Sequence, residues 1–200
     1  ALPGPYFSTV ILGGCTILAA GSEAQKQEFL PKIAEGALRM TLALSEPATT
    51  QFNPSLITVK AKAEGDSWVI DGIKLFVPDA NVSDWMVVAA RTAGKDTDRD
   101  GISLFLVESK SPGVSMTLLK TVAGDKQCEV VFNKVKVPKG ALLGEPGKGF
   151  AAVEKTLQIA AVAKCAEMLG GSNKVMELAV AYAKERVQFG KPIGTFQAVQ

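Results

Sequence analysis

Ile57-Thr58-Val59-Lys60-Ala61-Lys62-Ala63 alternates apolar and polar residues with a period of two, and Glu64-Gly65-Asp66 stops the run. A half-buried strand followed by a turn has this pattern, because successive strand side chains leave on opposite faces. Ser67 to Ile70 and Lys74 to Val77 follow as two more short runs. They flank Asp71-Gly72, a pair suited to the left-handed positions of a tight hairpin. Further out, Asp84 to Arg91, Ile102 to Glu108, Val114 to Leu118, Glu129 to Phe132 and Val135 to Val137 read as strands. Most are bounded by Gly, Pro, Asp or Asn. With the apolar Met40 to Leu44 they make about eight strands, spaced as in a small barrel or sandwich.

Both flanks read as helical. In residues 1–39, Ser8 to Ala20 is apolar on most faces, as in a buried helix, and Gly21 can end it in a left-handed cap. Ser22 and Gln25 are the two partners of a capping box for the next helix. Phe29, Leu30 and Ile33 continue that helix, and Gly36 can end it. Beyond the strands, Phe150, Val153, Leu157, Ala161, Cys165 and Met168 fall at intervals of three or four, one helical stripe. Gly170-Gly171 interrupts it, and Ser172 can cap a second helix. Val175, Leu178, Ala179, Tyr182 and Ala183 form that helix's buried stripe, and Gly190 and Pro192 end it.

Composition narrows the function. Twenty-two basic and 20 acidic residues leave a formal charge of +2 with no block of one sign, so nothing points to nucleic acid or an anionic membrane. Lys95-Asp96-Thr97-Asp98-Arg99-Asp100-Gly101 mixes both signs and reads as a solvated turn. Histidine is absent, which removes His triads, His metal sites and a His base from this sequence. Cys15, Cys128 and Cys165 lie too far apart for a metal-ligand spacing and read as buried free thiols. No apolar run is long enough to span a membrane. A cytoplasmic or organelle-matrix protein is expected.

Three stretches could carry chemistry. Ala43-Leu44-Ser45-Glu46-Pro47 ends an apolar strand with a hydroxyl and with backbone N–H groups free of the ladder. Gly72-Ile73-Lys74-Leu75-Phe76-Val77 presents an aromatic residue. Glu185-Arg186-Val187-Gln188-Phe189-Gly190, followed by Lys191-Pro192-Ile193 and Phe196-Gln197, sets Arg186 and Phe189 on one face of a helix end. Each also has a plainer reading: a strand ending at Pro47, a hairpin with Phe76 in the core, and an arginine favoured by a helix C-terminus.

In this order and at these intervals the three resemble the acyl-CoA dehydrogenase family of flavoproteins. Gly21-Ser22-Glu23-Ala24-Gln25 with Phe29-Leu30-Pro31-Lys32 resembles the last helix of that family's N-terminal domain. The resemblance implies an α+β multidomain fold. Residues 1–39 would close an N-terminal helical domain, 40–140 would form the central β-barrel or sandwich, and 141–200 would begin a C-terminal four-helix bundle. Family members are longer at both ends, so the chain reads as incomplete.

The implied cofactor is FAD. The implied flavin neighbours are Leu42, Leu44, Ser45, Gln51, Phe76, Val77 and Pro78, with Arg186, Phe189, Phe196 and Gln197 serving the cofactor of a neighbouring subunit. A flat ring wants an apolar floor and a few donors, and a guanidinium suits pyrophosphate. Gln51 and Gln158 are the implied substrate contacts. The implied reaction is flavin-dependent α,β-dehydrogenation of an acyl-CoA thioester, in fatty-acid or related oxidation, with electron-transfer flavoprotein as a partner and a homotetramer or hetero-oligomer as the assembly. No metal is implied.

The sequence departs from the family at several of these places. Thr49-Thr50-Gln51-Phe52 stands where the family has Ala-Gly-Ser-Asp. Pro78 stands where a threonine commonly hydrogen-bonds the flavin, and proline has neither hydroxyl nor N–H. Gln158 and Ala161 replace an Asp and an Arg. Ala160 stands where some members carry the base, which is expected beyond Gln200. Glu154, Glu167 and Glu177 read as solvated helix residues. A non-catalytic or assembly subunit, or an oxidase, is the alternative reading.

Overall fold

The computed structural model describes residues 4–47 and 53–200. They fall into two compact units, one running from Gly4 to Ala160 and the other comprising Ala161–Gln200.

The first unit opens on a π-helical segment, Phe7–Gly14, in which the Cys15 N–H reaches back to Val10 O. It leads into α1 (Cys15–Ala20). Gly13 explains how closely this segment can lie on the sheet: a Cβ there would stand 2.5 Å from Met40 Cγ. Gly21 ends α1 in an extended conformation (φ −69°), and a left-handed cap is not used. Ser22 needs the extended conformation that follows, because it caps α2 (Glu23–Ala34) with the reciprocal Ser22–Gln25 box. Gly36 is left-handed just past the end of α2, where Ala37 N–H closes on Lys32 O.

Eight strands of this unit form one sheet among the described residues. In sequence they are β1 (Met40–Ala43), β2 (Lys60–Glu64), β3 (Ser67–Pro78), β4 (Trp85–Arg91), β5 (Ile102–Glu108), β6 (Val114–Leu119), β7 (Gln127–Pro138) and β8 (Leu142–Leu143). The order across the sheet is β6-β7-β3-β2-β4-β5-β8, with β1 added parallel to β4. A flat sheet would hold β3 and β5 about 14 Å apart. Instead Trp68 of β3 meets Phe105 of β5 with ring centroids 5.3 Å apart, so the sheet curls round a shared core. Ile70, Val87, Leu104, Phe105 and Phe132 are buried in it. α3 (Phe150–Glu185) starts on this unit through buried Phe150, Val153 and Ala160, and Thr156 Oγ1 lies 3.0 Å from Thr16 Oγ1 of α1.

One expected hairpin and one expected break between strands are absent. Asp71-Gly72 does not turn the chain, because Ser67–Pro78 is one long strand paired with β7 and carrying a bulge between Ile70 and Gly72. Gly72 is needed for passage rather than reversal. Its φ is 139°, and a Cβ would lie 2.9 Å from Val59 Cγ2. The reversal falls instead at Gly65-Asp66, where Glu64 pairs with Ser67. Likewise Glu129–Phe132 and Val135–Val137 belong to one strand, which runs through left-handed Lys134 while Asp71 Oδ1 accepts its N–H.

In the second unit α3 continues through Gly170-Gly171 without a break, so Ser172 caps nothing. Two glycines cost about 2 kcal/mol in a helix, too little to stop one already propagating on both sides. Val175, Leu178 and Tyr182 are exposed, not buried, and so is Cys165. Among the described residues no helix is long and apolar enough to cross a membrane.

Candidate functional site

Lys74 and Phe76 are two residues apart, so a regular strand would put both on one face. Here they part. Lys74 is fully buried and Phe76 is 55% exposed. The cause is a second bulge, between Lys74 and Val77, with Phe76 held left-handed at φ 55°. A bulky residue in that conformation stores strain of about 1–3 kcal/mol, and such strain gathers at functional positions. The result is an aromatic ring held outward on a rigid sheet.

The end of β1 is fastened beside it. Leu75 N–H donates to Ser45 O at 2.9 Å. Ser45 is half-buried, and its hydroxyl has no hydrogen-bond partner among the described residues. Leu42 and Leu44, which lead into this turn, are buried in the core. Val77 is buried opposite Cys128, and half-buried Pro78 pairs with Gln127. The next residue, Asp79, accepts the Ser8 hydroxyl at 2.6 Å, which fixes the strand's exit against the first helical segment.

Below the surface Lys74 Nζ donates to Glu46 Oε1 at 2.6 Å and to Leu44 O at 3.1 Å. Neither side chain of the pair is exposed. Glu46 also accepts from Thr58 N–H at 2.7 Å, from the Thr58 hydroxyl, and from Val59 N–H. Burial alone would raise the Glu46 carboxyl, but Lys74 and the Thr58 donors outweigh it and hold it below the ordinary range. Burial, opposed by Glu46 and reinforced by the nearby Arg91 charge, brings Lys74 down to about 8.

These shifts fix a pH dependence. The unfolded chain takes up the Glu46 proton near its ordinary 4.5, before the folded chain does. The Glu46 carboxylate's contribution is therefore complete above 4.5 and is lost as pH falls through the lower folded value. Lys74 acts at the other end. Between about 8 and 10.5 the unfolded chain holds a proton that the folded chain has shed, so this group makes stability rise with pH there. Urea unfolding should show the gap between wild type and Glu46→Gln shrinking as pH drops below 4.5; a constant gap would contradict the assignment.

The other expected residues sit elsewhere. Gln51, with Thr49, Thr50 and Phe52, lies outside the described residues. Gln158 is exposed on α3. Arg186 and Phe189 do not share a helix face, because α3 ends at Glu185. Val187–Gln188 and Lys191–Pro192 form a short hairpin, β9 and β10, turned by Phe189 (φ 51°) and Gly190 (φ 80°). A two-residue turn with both φ positive matches the twist of paired strands, and it overrides helical continuation. Arg186 is exposed just past the helix, its N–H on Tyr182 O at 2.8 Å. Phe189 is 94% exposed and meets Phe196 edge to face at 6.3 Å, with Lys191 4.4 Å over the Phe196 ring. Gln197 is exposed in the following turn.

Three of the carboxylates on α3 face cations at the surface: Glu154 faces Arg99, Glu167 faces Lys164 and Glu177 faces Lys174. Among the described residues no cluster could hold a metal.

Sequence reasoning passed over Arg91. It is 3% exposed and donates to the carbonyls of Ser55, Ile57, Asp96, Asp98 and Asp100. The turn read as merely solvated is thus organised from inside. The available signal was an arginine ending an otherwise apolar strand.

The family model described as acyl-CoA dehydrogenase, middle domain, matches residues 41–135, and the one described as acyl-CoA dehydrogenase, C-terminal domain, matches 147–200. The chain belongs to the acyl-CoA dehydrogenase family. A curated relative, the caffeyl-CoA reductase–Etf complex subunit CarC of Acetobacterium woodii, is 36% identical over 191 residues, 94% of this chain and 50% of that protein. The butyryl-CoA dehydrogenase structure from Megasphaera elsdenii superposes with a TM-score of 0.90 at 33% identity, covering 96% of this chain and 51% of that one. A glutaryl-CoA dehydrogenase from Mycobacterium smegmatis, solved with FADH2, gives 0.86 at 28% identity, with 97% and 49% covered. The chain spans about half the length of the curated relatives it matches. The exposed Phe76 and the Ser45 turn lie within the middle-domain match, and Arg186 within the C-terminal one.

Proposed function

We propose that the whole protein carries out flavin-dependent α,β-dehydrogenation of an acyl-CoA thioester, with FAD as its cofactor. The observation that carries this reading is the strained, outward Phe76 fastened beside the Ser45 turn on one rigid sheet. These residues fit a flat ring with a polar edge: Phe76 gives an aromatic wall and Ser45 a hydroxyl with donor capacity to spare. Leu42, Leu44 and Val77 support that wall from within. Pro78 gives van der Waals contact and no hydrogen bond. Bound there, the flavin would supply the acceptor for the hydride leaving the substrate's β-carbon.

Arg186, Phe189, Phe196 and Gln197 are assigned to the cofactor of a neighbouring subunit. The planar Arg186 fork suits a pyrophosphate, and the Phe189–Phe196 pair a stacked ring. This assignment requires an oligomer, which we take to be a homotetramer or a hetero-oligomer. Gln51 and Gln158 are assigned to the acyl-CoA. Electron-transfer flavoprotein is the proposed redox partner, a reading supported by the Etf complex named for the Acetobacterium relative. The 1–39, 40–140 and 141–200 divisions follow the same family pattern, and we place the protein in the cytoplasm or an organelle matrix.

Phe52, Pro78 and Ala161 favour a second reading, an assembly subunit without turnover. Purified full-length protein separates the two. Saturable FAD uptake followed by anaerobic bleaching of the flavin band by acyl-CoAs supports the enzyme. Uptake without bleaching supports the assembly subunit. Peroxide formation in air marks an oxidase.

A further inference from the structure

The Glu46–Lys74 pair joins the two segments that form the proposed ring-binding surface. Lys74 comes from β3, two residues before Phe76, and Glu46 from the turn just after Ser45. One Lys74 donor holds Glu46 and another holds Leu44 O, so a single ammonium grips the turn on both sides of Ser45. The carboxylate then ties the same turn to Thr58 and Val59. Stability does not explain such an arrangement, because a well-packed apolar pair of similar volume is often at least as stable as a buried ion pair. What the ion pair adds is direction: the bonds hold one orientation of the turn, whereas apolar contacts tolerate several.

We propose that Glu46 and Lys74 are positioning residues of the flavin site, holding the Ser45 turn and the Phe76 bulge at the separation that one ring requires. The proposal rests on the flavin reading above and deepens it. Among the described residues, Arg91 from β4 is a charged group whose field reaches both Lys74 and Glu46.

The test compares full-length wild type with Glu46→Gln, Lys74→Met and the double variant Glu46→Leu/Lys74→Met. Each is measured for thermal stability without cofactor and for FAD affinity by flavin fluorescence. The single variants should lose both, since each strands a buried polar partner. The double variant should recover stability yet bind FAD roughly tenfold more weakly than wild type or worse. Equal affinity in a stable double variant would overturn the positioning role. Should the double variant not fold, Glu46→Gln decides at a temperature where its circular dichroism equals that of wild type. Weakened FAD binding there supports the role, and unchanged binding overturns it. A wild type that takes up no FAD refutes the flavin reading itself, an outcome the wild-type arm reports separately.

Discussion

Arg91→Ala should lower the unfolding free energy by roughly 3–5 kcal/mol, because it strands several carbonyls at once, each costing about 1–3 kcal/mol where water does not reach it. The guanidinium donates to five carbonyls at 2.8–3.2 Å, drawn from the 55–57 segment and from the Asp96–Asp100 turn. Alanine leaves those carbonyls with only the water they can recruit, and an orphaned buried acceptor costs about 1–3 kcal/mol. The Asp96–Asp100 turn would open first, because Arg91 is what fills its interior. Arg91→Lys should restore only part of the loss, since one ammonium cannot reach what a planar fork reaches. Urea unfolding measures both. A change near 0.5 kcal/mol, usual for a surface site, would contradict the described network.

Gly101→Ala is expected to cost a similar amount, roughly 3–5 kcal/mol, by strain rather than by lost bonds. Gly101 is left-handed at φ 89°, and an added Cβ would stand 2.0 Å from Ala93 O, a backbone atom that no rotamer change can move aside. The same residue donates to Gly147 O at 2.9 Å and accepts from Thr92 N–H at 2.8 Å. It therefore sets the β4–β5 turn and also the loop from which α3 departs, where Gly149 N–H closes on Ile102 O. Gly65→Ala is the control. Its φ is also positive, at 57°, but nothing lies within 4 Å of the new methyl. It should cost only about 1 kcal/mol. Equal losses at the two sites would show that the close approach at Gly101 is not felt.

Much of the fold was legible because periodicity and caps are local. The Ser22–Gln25 box forms as read, β4 and β5 cover the runs near 84–91 and 102–108, and the 57–63 alternation becomes strand from Lys60 onward. What was not legible depends on partners distant in sequence. Asp71-Gly72 has the composition of a hairpin, yet Val59 passes beside Gly72 and Lys134 satisfies Asp71, so the pair makes a bulge. Gly170-Gly171 has the composition of a break, yet good helix formers on both sides carry α3 across it.

The site shows the same division. Ser45 and Phe76 were nameable from motif, but the left-handed twist that turns Phe76 away from buried Lys74 has no sequence signature of its own. Lys74 read only as the first residue of the short run to Val77. Its role follows only from Glu46, 28 residues away in sequence. Arg186 was nameable too, but its place beside a hairpin follows from Phe189-Gly190 adopting positive φ.

The central claim is that the surface made by Ser45 and Phe76 serves a flavin that oxidises an acyl-CoA. Anaerobic titration of the FAD-loaded full-length protein with a panel of acyl-CoAs, followed in the visible spectrum, tests it most directly. The expected result is loss of the flavin band on addition of at least one acyl-CoA, with the matching 2-enoyl-CoA as product. An FAD-saturated protein whose spectrum stays oxidised with every chain length, while dithionite still reduces it, would contradict the claim.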